Sequence, residues 1–79
     1  MKPAKNKIKN YRGYLGMTQV ELAQKIGKKL GRAMSQVMVC HYELGNKSIN
    51  DKMKQTILSV FNDHLPEDEK LSINQVFPE

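Results

Sequence analysis

Seventy-nine residues supply apolar material for one core, so the chain reads as a single small domain stabilised by tightly packed helices and by association with a second copy. Its lone cysteine, Cys40, cannot form an internal bridge, and its longest apolar run, Val37-Met38-Val39-Cys40, falls far short of the roughly 20 residues that cross a bilayer. The basic N-terminus has no apolar stretch to make a secretory signal, so the expected compartment is the cytoplasm. The net charge of +5 is unevenly spread: residues 1–54 carry twelve Lys and Arg against three acids, or +9, and residues 55–79 carry −4. That asymmetry fits a body with one end facing a polyanion; the alternative is an ordinary solvated surface.

In chain order, residues 1–6 are polar, contain Pro3 and lack apolar periodicity, so they read as a flexible basic arm ahead of a domain over 7–79. Ile8, Tyr11 and Leu15 then fall on one face of a helix that Gly16 ends, with Gly13 inside it costing about 1 kcal/mol relative to alanine. The next helix has the clearest start. Thr18 and Glu21 have the spacing of a capping box, Met17 stands where a hydrophobic staple belongs, and Val20, Leu22, Ala23 and Ile26 supply the inward face. Gly27 offers one stop, but Leu30 continues the series Leu22, Ile26, and the longer helix to Gly31 is preferred.

Ser35 caps a short third helix with Val39 and Tyr42 at helical spacing and Gly45 closing it. After the polar turn Asn46 to Asn50, Met53, Ile57, Val60 and Phe61 form an amphipathic stripe running to about His64. Pro66 to Lys70 is a charged connection, and Ser72 caps a last turn carrying Ile73, Val76 and Phe77 before Pro78. No segment alternates apolar and polar residues as a half-buried strand does, so the expected class is all-α with five helices.

The segment Thr18 to Ile26, TQVELAQKI, followed by Val39 to Gly45, VCHYELG, resembles the phage-repressor and Cro (XRE-like) family of helix-turn-helix proteins. The likeness runs from about Ile8 to Phe77. It rests on a capped helix with Gln at its first position, a Leu-Ala pair inside it, and an apolar-x-x-apolar-Glu-x-Gly ending, in that order. It implies a compact, lambda-repressor-like DNA-binding domain with the helix-turn-helix at helices 2 and 3. The implied function is a sequence-specific transcriptional regulator, a repressor of phage, plasmid or mobile-element type. Such a protein binds a double-stranded DNA operator as a homodimer, with half-sites about one helical turn apart.

Physical chemistry accounts for several of these residues directly. Two short helices that cross closely need a small residue at the contact, here Ala23, and the second helix then protrudes into a groove about 12 Å wide. In the family, the Gln opening the first motif helix binds a phosphate beside the helix dipole, a role that falls to Gln19; a simply solvated glutamine is the alternative. Matching the Glu-x-Gly ending backwards puts Ser35 at the cap, Gln36, Val37, Cys40 and His41 toward base edges, and Val39 and Tyr42 in the core. The Gln36 amide suits adenine, Val37 a thymine methyl, and His41 a guanine acceptor or a phosphate. Arg12 and Glu43 match the family's structural ion pair, which orients more than it stabilises; exposed, unpaired side chains are the alternative. Ser35, Lys47, Lys28, Lys29 and the Lys2 to Lys9 arm are candidates for phosphate contact, each lysine equally consistent with plain solvation.

The chain departs from the family pattern twice. The connection from Gly27 to Ser35 carries about six additional residues, and Leu44 is apolar where a polar phosphate contact is usual. Leu44, Ile49, Val76 and Phe77 together suggest an apolar patch, the basis of an alternative reading as an antitoxin or adaptor-type interaction module with a protein partner. Catalytic chemistry finds no support. Cys40 and His41, adjacent on a helix, point about 100° apart, which prevents joint chelation of a metal and a Cys-His nucleophile pair. His64 is isolated, no phosphate-binding glycine loop occurs, and Glu67, Asp68 and Glu69 read as a solvated cluster. Met17, Met34, Met38 and Met53 read as core and interface filler. The chain is therefore expected to be no enzyme and to need no cofactor or metal.

Overall fold

A computed structural model describes residues 6–78, and local capping chemistry accounts for where its helices begin and end. Helix α1 spans Ile8–Tyr14, α2 Gln19–Leu30, α3 Gln36–Leu44, α4 Asp51–Asn62 and α5 Ile73–Val76; a 3-10 turn covers Glu67–Glu69, and no strand occurs among the described residues. The domain is all-α.

Each of the three longer helices starts on a side-chain oxygen. Thr18 Oγ1 accepts from the Glu21 N–H at 3.0 Å while Glu21 Oε1 accepts from the Thr18 N–H at 3.2 Å, closing the capping box on α2. Ser35 Oγ accepts from the Met38 N–H at 3.2 Å, and Asn50 Oδ1 from the Met53 N–H at 2.8 Å. Left-handed glycines end α2 and α3, Gly31 at φ 72° and Gly45 at φ 77°, a region closed to most side chains. Helix α2 therefore runs through Leu30, and the connection to α3 shortens to residues 31–35.

The core is one cluster. Leu22, Ala23 and Ile26 of α2 meet Val39 and Tyr42 of α3 and Met53, Ile57, Val60 and Phe61 of α4, with Ile8, Met17, Val76 and Phe77 completing it. Helix α2 is central, packing most extensively against α3 and α4. Truncating one of the fully buried members, such as Phe61 or Leu22, removes about 2–5 kcal/mol. Tyr11 leans on Phe61 with ring centroids 6.3 Å apart.

Three sequence expectations need correction here. Val20, assigned to the inward face of α2, is 49% exposed, because two residues along a helix turn about 200° and so place it opposite Leu22. Asn6, placed in the arm, belongs to the folded body; the remainder of that arm, residues 1–5, lies outside the described residues. The Asn6 amide donates to the Tyr42 carbonyl at 2.8 Å and its Oδ1 accepts from the Ile8 N–H at 3.2 Å, so one side chain ties the start of α1 to the end of α3. Finally, Val76 and Phe77 are buried, not part of an exposed patch. The Val76 carbonyl accepts from the Lys7 N–H at 2.7 Å, α5 packs on α4, and the Lys54 ammonium lies 5.7 Å above the Phe77 ring.

The end of α4 is held by side chains reaching backbone groups. Asn62 exchanges two hydrogen bonds with the Leu71 backbone, at 2.7 and 3.1 Å, and Lys70 Nζ donates to the Asn62 and Leu65 carbonyls. These satisfy carbonyls that a helix end leaves open, and they anchor the acidic connection. Among the described residues, no helix is long and apolar enough to cross a membrane.

Candidate nucleic-acid interface

Helix α3 has two unlike sides. Val39, Tyr42 and Glu43 face inward and are buried, whereas the row Gln36, Cys40, Leu44, flanked by Val37 and His41, faces away from the core. Gln36 is exposed, Val37 is 59% and Leu44 60% exposed, and Cys40 and His41 are half-buried. The four residues expected to read bases therefore share one side of one helix. Leu44 extends that side by a turn and, with Val37, puts exposed aliphatic surface on it.

The inward side is fixed by a charged joint. Arg12 Nε donates to Glu43 Oε2 at 2.6 Å, its Nη2 to Glu43 Oε1 at 3.3 Å, and its Nη1 to the Met17 carbonyl at 2.9 Å. The Glu43 side chain is only 4% exposed and that of Arg12 16%, so this is a nearly buried pair in which each guanidinium nitrogen of Arg12 donates one hydrogen bond. It links α1, the α1–α2 joint and α3. Glu43 is also the only acid on α3, and its charge is offset by Arg12, so the outward row carries no carboxylate.

Gln19 completes the joint. Its Nε2 donates to Glu43 Oε1 at 3.1 Å, and its Oε1 accepts from Gln36 Nε2 at 2.8 Å. Both ends of this amide are thus engaged within the protein, which differs from the free phosphate ligand the sequence suggested. A chain of hydrogen bonds runs from Arg12 through Glu43 and Gln19 to exposed Gln36. Sequence spacing gave no sign of the Gln19–Gln36 contact, since the two stand seventeen positions apart and meet only because α2 and α3 pack together.

The candidate phosphate contacts divide. Ser35 is exposed and already accepts the Met38 N–H, and Lys47 is exposed just past α3. Lys28 is exposed on the outer side of α2, where it lines a shallow groove with Glu21, Gln24, Lys25, Ala33 and Met34. Lys29 is engaged within the protein: its ammonium pairs with Asp63 Oδ2 at 2.7 Å, because α2 and α4 lie side by side. The hydrogen bond from Lys29 holds the exposed Asp63 carboxyl below its ordinary range. Cys40 is a free thiol, and among the described residues no group of three His, Cys, Asp or Glu side chains is placed to hold a metal.

No protein-family model matches the chain, nor does any curated protein or solved structure.

Proposed function

We propose that the protein is a sequence-specific double-stranded DNA-binding regulator of transcription, acting in the cytoplasm, in which α2 and α3 form a helix-turn-helix and the outward side of α3 enters the major groove. The observation that carries this reading is that the one acid of α3 is buried and neutralised, while the exposed or half-buried residues Gln36, Val37, Cys40, His41 and Leu44 include no carboxylate. A polyanion tolerates that side, and Gln36 and His41 supply groups matched to base edges, with Val37 suited to a thymine methyl. Lys47 and Lys28 are exposed cations suited to phosphates. The family resemblance adds the expectation of a homodimeric repressor of phage, plasmid or mobile-element type.

Salt titration tests the reading most directly. Affinity for mixed duplex DNA should fall steeply with salt, with a log–log slope of about −0.9 for each phosphate neutralised. Gln36→Ala should relax base preference at one operator position, whereas Lys47→Ala should weaken all sequences alike and reduce the slope by about 1. Absence of duplex binding at low salt would remove the proposal.

One observation favours a second reading, an antitoxin or adaptor module. Val37 and Leu44, both more than half exposed, put aliphatic surface on the same side of α3. In that case the side covers a protein partner, and the duplex experiment gives no binding.

A further inference from the structure

The outer side of α2 carries unpaired positive charge. Lys25 and Lys28, three residues apart and turned away from the buried Leu22 and Ile26, line two shallow grooves along the helix. One groove lies against Ala33 and Met34 of the α2–α3 connection, the other against Val60, Asp63 and His64 at the end of α4. Lys29 beside them is held by Asp63, but among the described residues no ion pair engages Lys25 or Lys28. No residue of α3 lines either groove.

The chain leaving the second groove carries the opposite charge. From His64 it continues through half-buried Leu65 to Pro66, Glu67, Asp68 and Glu69, all exposed, and none of these three acids is paired among the described residues. The segment is held in shape. Lys70 Nζ donates to the Asn62 and Leu65 carbonyls at 2.8 and 3.1 Å, and the Glu69 N–H donates to the Pro66 carbonyl at 2.9 Å. A segment tethered in this way loses little freedom when a partner covers it.

We propose that this side of the molecule docks a second copy of the chain, with the acidic turn Glu67–Glu69 of each copy lying on the Lys25 and Lys28 side of the other's α2. The two elements are complementary in charge, and they are neighbours. His64 lines the groove and Glu67 follows three residues later, so the turn begins within about 11 Å of it. Adjacent patches of opposite sign match themselves under a two-fold axis: turn meets groove and groove meets turn at once, which closes the assembly as a dimer. Copies with a net charge of +5 repel one another except where opposite patches face, so the charges select this approach. Exposed ion pairs are individually weak, and Leu65, Pro66 and Met34 add apolar surface to be covered. The outward side of α3 stays open. Lys28 then meets acids of the second copy, which leaves Lys47 as the phosphate contact. The expected homodimer thereby gains a defined surface, and that surface forms with or without DNA.

Sedimentation of the full chain in the absence of DNA reads the assembly. The wild type should dimerise, and its dissociation constant should rise with salt. Lys25→Glu with Lys28→Glu, and separately Glu67→Lys with Glu69→Lys, should each weaken association on the order of tenfold, since a two-fold dimer contains every contact twice. An equimolar mixture of the two variants should restore it, because one then carries two acidic patches and the other two basic ones. If either variant fails to fold, dilution of the wild type decides: backbone amide shifts should move at Lys25, Lys28 and residues 66–69 and stay fixed on the outward side of α3.

A wild type that remains monomeric at low salt and millimolar concentration overturns the inference. So does a dimer indifferent to both reversals, a mixture of folded variants that stays monomeric, or dilution shifts centred on Leu44. No duplex enters these measurements, so the DNA-binding reading stands or falls separately.

Discussion

Glu43 occupies the position where one side chain matters most. Its carboxylate is almost without solvent and holds three donors, two from Arg12 and one from Gln19. Removing a single partner from such a site leaves an uncompensated group inside the protein, so Glu43→Ala should lower the free energy of unfolding by about 3 kcal/mol. Replacing both charges with apolar residues, Arg12→Met with Glu43→Met, should cost less than Glu43→Ala alone, because no charge is then stranded. Denaturant midpoints of the two variants decide the matter; a double variant less stable than Glu43→Ala would show that the pair stabilises the fold outright rather than orienting α3. Arg12 and Glu43 stand thirty-one positions apart. Nothing in their local sequence predicts the contact, and only the resemblance to a known family brought them together in advance.

For the helices as elements, two glycines make contrasting demands. A methyl group built on Gly27 would sit 2.7 Å from the Arg32 carbonyl oxygen, a backbone atom in the turn whose Arg32 N–H donates back to the Gly27 carbonyl at 3.1 Å. The chain leaving α2 thus folds tightly over it, as only glycine permits. A methyl on Gly13 would meet nothing within 4 Å. Gly27→Ala should therefore destabilise by about 1–3 kcal/mol through overpacking, despite the better helix propensity of alanine. Gly13→Ala should stabilise by about 1 kcal/mol and raise Tm by about 4–8 °C in a domain of this size. Thermal melts shifting in the same direction for both would contradict the account. Helix starts at Thr18 and Ser35 and stops at Gly31 and Gly45 were legible because capping involves residues three or four apart, whereas Asn50 was read only as the end of a polar turn. The need for glycine at position 27 was not, since the atom it avoids belongs to a turn whose path depends on α3.

At the scale of the whole molecule, the basic and acidic parts of the chain meet where Lys29 pairs with Asp63. Cations are concentrated before residue 55, and the exposed Glu67–Glu69 turn lies beyond α4. If α3 reads DNA as proposed, selection of bound sequences from a random pool should return a site whose adenine falls at the position governed by Gln36. A homodimer should return it twice, in inverted orientation, about one helical turn apart. A single half-site without symmetry would rule out the dimer while leaving the reading of α3 in place.

By itself the sequence determined the number of helices, most of their boundaries and the inward stripe of α4, because caps and 3.6-residue periodicity are short-range properties. Apart from Val20, misplaced on the inward stripe of α2, it erred or fell silent where distant segments meet. Val76 and Phe77 looked available for a partner until α5 packed on α4, and Lys29 looked free until Asp63 came beside it. The link from Glu43 through Gln19 to Gln36 likewise exists only once three helices are assembled. Side-chain hydrogen bonds depend on distances below about 3.5 Å. Separation along the chain says nothing of such distances, and tertiary packing alone sets them.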